Sequence, residues 1–289
     1  MNDDHGSLTR RATTAAVVVS ASLAFAKLGA WFATGSIAVL GSLVDSLLDL
    51  GASMVSFVGV RRARVPADDD HGFGHGKAEP LAALAQSAFL LGSAVFVAME
   101  AVPRIFNPPA VTRPAFGIAV MLVGVAATIP LVLYQRSVAR RTNSLAVAAD
   151  AAHYASDIFG HLAVAVGLAL ASTPSLRIVD PLLGLLVALY VGYQAVSIGR
   201  KSVDMLMDRE LPDAVREAVL EAALTHPEVC GVLHWRTRAS GPQRFADMVV
   251  VVDGNVSLHH VHVVQAEVVG RIREVLPDGE ITVRVEPAD

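Results

Sequence analysis

The sequence predicts two unequal domains, an all-α six-helix transmembrane domain over residues 1–207 and a small α+β cytoplasmic domain over residues 208–289. Three observations lead there. The chain is 53% hydrophobic and 17% charged, with a mean hydropathy of +0.51, too apolar for an ordinary soluble protein of 289 residues. Up to about residue 200, apolar blocks of roughly 20 residues recur, the length that crosses ~30 Å of hydrocarbon. Beyond Asp208 the residues follow the mixed periods of a soluble domain.

The blocks fall at 13–34, 38–60, 80–103, 114–135, 145–172 and 178–199. Backbone groups in lipid must bond within their own segment, so each is expected to be a helix. The first reads as a span rather than a cleaved leader, because its apolar stretch is long and no A-x-A-like site follows. Arg10, Arg11, Arg61, Arg62, Arg64, Lys77, Arg136, Arg140, Arg141, Arg200 and Lys201 flank spans on one side, against Arg104, Arg113 and Arg177 on the other. That asymmetry places both termini in the cytoplasm. The lone Cys230 allows no internal disulfide and is read as a buried apolar residue. A net charge of −4 speaks against a general nucleic-acid binder.

In the tail, 212–226 has helical periodicity, 229–238 and 244–254 read as strands around a Ser-Gly-Pro turn, 258–276 is a second amphipathic helix, and 280–287 is a last strand. The order αββαβ suits two helices on one face of a three-stranded sheet.

The second span carries Asp45 and Asp49, and the fifth carries His153 and Asp157, each pair four residues apart and therefore on one helix face. Three carboxylates and an imidazole make a nitrogen and oxygen cage suited to a tetrahedral divalent cation such as Zn²⁺. The plainer alternative is polar glue between helices. Each ionisable group at mid-membrane costs ~2.5–3.5 kcal/mol, which is hard to reconcile with packing that Ser or Asn could supply. Lys27 in the first span is read as structural, and His161, one turn beyond Asp157, as a packing group. In the loop between spans two and three, Asp68, His71 and His75 read equally as a metal cluster or as a Gly-rich turn.

The stretches TGSIAVLGSLVDSLLDL, HGFGHGKAEPLAAL, NSLAVAADAAHYASD, VDPLLGLLVALY and LMDRELPD closely resemble the cation diffusion facilitator family, in particular its bacterial zinc and ferrous-iron efflux pumps. The resemblance covers nearly the whole chain. It implies a homodimer in the bacterial inner membrane, a metallochaperone-like tail, and export of cytoplasmic Zn²⁺, with Cd²⁺ or Fe²⁺ as alternative cargo, against protons. By position it makes Asp45, Asp49, His153 and Asp157 the transport site, and Asp68, His71 and His75 a loop metal site. It also implies an ion pair of Lys77 and Asp208 locking the two subunits near the membrane surface.

The tail departs from that pattern. His262 and Glu286 fall at two positions of the family's two-metal site, whereas Leu233, Val249 and Arg284 occupy the others and are poor ligands. His234 adjoins one lost position, and His259, His260 and Asp247 lie nearby, so an altered site and a merely solvated LHHVH turn both stand.

Metal loading needs deprotonated carboxylates and neutral imidazole, so cation and protons compete for one site and antiport results, with His153 as the coupling group. Two other functions fit less well. A membrane-anchored metal sensor would not need four intramembrane ligands. An intramembrane metal-dependent hydrolase would need HExxH or a mid-span Glu, and neither is present.

Overall fold

A computed structural model describes residues 2–34, 37–106, 114–170 and 178–288. The chain divides into two compact units, Asp3–Val203 and Asp204–Asp289.

The first unit holds six helices: α1 (Asn2–Thr34), α2 (Ile37–Arg62), α3 (Ala78–Phe106), α4 (Pro114–Thr142), α5 (Leu145–Leu170) and α6 (Val179–Leu206). Among the described residues, four helical stretches are long and apolar enough to cross a membrane: His5–Gly29, Ala78–Phe106, Met121–Thr142 and Pro181–Leu206. The polarity of the bundle is inverted relative to a soluble protein. Phe25, Phe89, Phe96, Leu133 and Tyr193 are exposed, while Ser53, Ser56, Gln86, Gln135 and Asp150 are buried. Small and hydrogen-bonding residues between helices, with large apolar ones outside, are what a bundle in hydrocarbon requires.

Several helices run past their apolar blocks. The first begins at Asn2 instead of near residue 13, because its polar extension has a partner. Arg64, just beyond α2, donates from Nη2 to Thr9 Oγ1 at 2.6 Å, and its guanidinium lies against Gly6. The two helices α2 and α3 meet as closely as backbones allow: a Cβ on Gly59 would stand 2.3 Å from the Ala82 Cβ. Lys27 of α1 donates to Ser46 Oγ of α2 at 2.6 Å, joining the two helices.

The second unit is α7 (Asp213–Leu224), β1 (Gly231–Ser240), β2 (Gln243–Val252), α8 (Leu258–Val275) and β3 (Gly279–Pro287). The sheet order is β1-β2-β3, antiparallel between β1 and β2 and parallel between β2 and β3. Alternation along β2 buries Ala246, Met248, Val250 and Val252 against Val264, Val268 and Ile272 of α8. Ser257 caps α8, its Oγ accepting from His260 N. A register shift between Val232 and His234 leaves Leu233 bulged and half exposed. One expectation is corrected: Cys230 is exposed rather than buried, because it precedes β1 at the sheet edge instead of entering the core.

Candidate metal sites

The helix α5 is held at its start by its neighbours. Ser144 caps it, its Oγ accepting from Val147 N at 3.3 Å, and the buried Glu79 of α3 accepts from the Ser144 side chain and from the backbone of Leu145 and Ala146. A carboxylate suits the unpaired N–H groups and positive end of a helix. Further along, Ser56 Oγ of α2 donates to Ala146 O at 3.2 Å.

This register brings His153 to face α2. His153 Nε2 lies 3.2 Å from Asp49 Oδ1 and 4.0 Å from Asp157 Oδ2, and one ligand atom from each of the three lies within 4.8 Å of the others. The side chains are 15%, 31% and 30% exposed for His153, Asp49 and Asp157, buried enough to shed most water yet reachable. Asp45 lies one turn before Asp49 on α2, and its side chain falls outside the described residues. The arrangement offers at least one nitrogen and two oxygen donors to one cation.

A second triad is built in the loop between α2 and α3. Asp68 Oδ1 accepts from His71 N at 2.7 Å and Asp70 N at 3.2 Å, and it lies 3.2 Å from His71 Nδ1. The backbone bond from His71 holds the Asp68 carboxyl below the ordinary aspartate pKa. His75 is buried, with Nδ1 3.3 Å from Pro66 O and Nε2 facing Asp68 Oδ2 across 3.4 Å without a hydrogen bond. The two rings lie 4.4 Å apart between centroids with their planes tilted by 41°, and Gly74 turns the chain with φ 73°. An anionic oxygen, an exposed imidazole and a buried nitrogen without a hydrogen bond converge within 4.8 Å.

The tail residues are not gathered in this way. Among the described residues no group of three metal-type donors includes His234, His262 or Glu286. Register explains why. His234 pairs with Val249 and Val249 with Arg284, so the row across the sheet holds a single ligand type, while Glu286 pairs with Val251 farther along. His262 projects from the first turns of α8 and is exposed. His260 Nε2 is paired with Glu228 Oε2 at 2.5 Å, and the buried His226 with Glu267 Oε2 at 2.9 Å. Asp208, which the resemblance pairs with Lys77, accepts from Arg238 Nη1 at 3.2 Å.

Asp150 was missed by sequence reasoning. It is fully buried on α5, three residues before His153, in the same stretch that supplied two ligands. Its spacing from His153 was the signal that could have found it.

A bundle of six helices with a polar interior, four of them long and apolar enough to cross a membrane among the described residues and two others carrying facing carboxylates and an imidazole, defines an integral membrane protein that handles cations. Comparison with known proteins agrees. The cation efflux transmembrane domain matches residues 13–207, and the cytoplasmic domain of cation efflux proteins matches residues 211–288. The chain is 40% identical to the cation-efflux pump FieF of Citrobacter koseri and 39% identical to that of Escherichia coli strain K12 / DH10B. Both alignments run over 287 residues, 99% of this chain and 95% of the relative. Among solved structures, a single-site variant of MamM-CTD is 28% identical, covering 27% of this chain and 98% of that one with a TM-score of 0.26. The chain belongs to the cation diffusion facilitator family, whose members are transporters of divalent metal cations.

Proposed function

We propose that this protein exports Zn²⁺ from the cytoplasm in exchange for protons, with Cd²⁺ and Fe²⁺ as alternative cargo. The observation that carries the reading is the approach of His153 to Asp49 across α2 and α5, with Asp157 completing three donors within 4.8 Å. Asp45 supplies the fourth. A dication held by carboxylates and neutral imidazole leaves when those groups take protons, so one site occupied alternately by metal and by protons couples the two gradients. The cage suits Zn²⁺ and Cd²⁺, and Fe²⁺ accepts the same donors, so supply decides among them.

The loop triad of Asp68, His71 and His75 captures the cation on the cytoplasmic side, where its partial exposure permits exchange. The protein works as a homodimer in the bacterial inner membrane with both termini in the cytoplasm, and the tail contributes to dimerisation. In the tail, Val249 and Arg284 interrupt the row of the family's two-metal site, and His234, His262 and Glu286 leave room for an altered or single-metal site only.

The test is proteoliposome flux with Zn²⁺, Cd²⁺ and Fe²⁺ in turn under an imposed pH gradient. Metal uptake accompanied by counter-directed proton release supports the reading. Metal flux that neither moves protons nor responds to the gradient refutes the antiport.

A further inference from the structure

Asp150 has no part in the mechanism above, yet it joins four helices. Its Oδ1 accepts from Gln86 Nε2 of α3 at 3.0 Å and from Ser53 Oγ of α2 at 3.4 Å, and its Oδ2 accepts from Gln135 Nε2 of α4. Gln86 Nε2 also donates to Ala52 O of α2 at 3.0 Å, and Ser53 Oγ shares a hydrogen bond with Tyr154 OH at 2.7 Å. Donors thus converge on one carboxyl group from three neighbouring helices. Neutral side chains could glue the same helices, and a buried carboxyl is tolerated only when its lone pairs are answered with good geometry.

We propose that Asp150 is a positioning residue that fixes the rotation and height of α5, so that His153 and Asp157 present their donors to Asp49. The inference rests on the reading of those three residues as the cation site. Asp150 and His153 are about one turn apart on the same side of α5. A slip of α5 by one residue displaces the ligands by ~1.5 Å and turns them by ~100°. A coordination site tolerates only ~0.5 Å. The carboxyl group supplies acceptors on both sides, which pins α5 between α3 and α4 without either glutamine having to turn its amide over.

The test measures zinc flux in proteoliposomes of the full chain, separating KM from maximal rate. Asp150→Asn keeps the shape but turns one acceptor into a donor facing a Gln amide. Its KM for Zn²⁺ rises at least about tenfold, in the range seen when supporting residues of metal sites are lost, while the maximal rate changes less. Adding Gln135→Glu to Asp150→Asn moves the acceptor to α4, leaves the Gln86 bond to Ala52 intact, and restores most of the affinity. An unchanged KM in Asp150→Asn overturns the proposal, as does failure of the double variant to recover when both single variants fold. Should Asp150→Asn not accumulate, Gln135→Met removes one donor at similar volume: a raised KM supports the proposal and an unchanged one overturns it. Asp157→Ala in the same assay reports on the cation site itself. Full transport in that variant refutes the site, whereas loss of transport there with a normal KM in Asp150→Asn refutes the positioning role alone.

Discussion

His153 Nε2 on α5 lies 3.2 Å from Asp49 Oδ1 on α2, so an imidazole and a carboxylate 104 residues apart in sequence are within bonding distance. A single cation replacing the proton between them would touch both. Asp49→Ala and Asp157→Ala are therefore each expected to reduce zinc-driven proton release in vesicles to the level of empty liposomes. Retained release in either variant removes that residue from the site.

On the proposed reading, the loop triad modulates capture and passage does not require it. In His71→Ala, transport persists with a several-fold higher KM and little change in maximal rate, measured by the same vesicle assay. Complete loss of uptake would reverse this ranking of the two sites.

Order in that loop depends on pH in a definite direction. The Asp68 carboxyl has a pKa below its ordinary value because it accepts the His71 backbone N–H. A depressed carboxylate stabilises the folded loop above the unfolded-state pKa, and the contribution disappears as pH falls through the folded-state value. Hydrogen exchange at the His71 amide should thus accelerate relative to its intrinsic rate on acidification below the normal aspartate range. In Asp68→Asn the protection should be reduced already at neutral pH and show no such acid step.

The close crossing of α2 and α3 yields a packing test. Because a Cβ at position 59 would lie 2.3 Å from that of Ala82, Gly59→Ala forces the helices apart. Overpacking of this kind costs ~1–3 kcal/mol. A thermal-shift measurement in detergent should find Gly59→Ala clearly destabilised. Gly29→Ala and Gly51→Ala, where nothing lies within 4 Å of the added atom, should melt no lower than the parent.

Much of the site could be read from residue order, for physical reasons. Carboxylates and imidazoles in apolar helices are costly, so Asp49, His153 and Asp157 stand out against Leu and Ala, and a spacing of four fixes their common face. The tail's αββαβ order was equally legible, because alternation in the β2 sequence and the helical period of α8 are strong. What stayed hidden depended on partners remote in sequence. Gln86 and Gln135 are ordinary amides until Asp150 is seen between them. Glu79 reads as a helix-start residue of α3, yet it serves the start of α5. The polar extension of α1 has no apolar signal, and its anchor, Arg64, lies 55 residues from Thr9.

The side chains that donate to Asp150 come from Ser53, Gln86 and Gln135, all earlier in the chain. During synthesis, each donor is therefore made before the acidic group it answers. For Asp150, unlike Asp49, whose partner His153 comes 104 residues later, the order of translation makes the answering groups first.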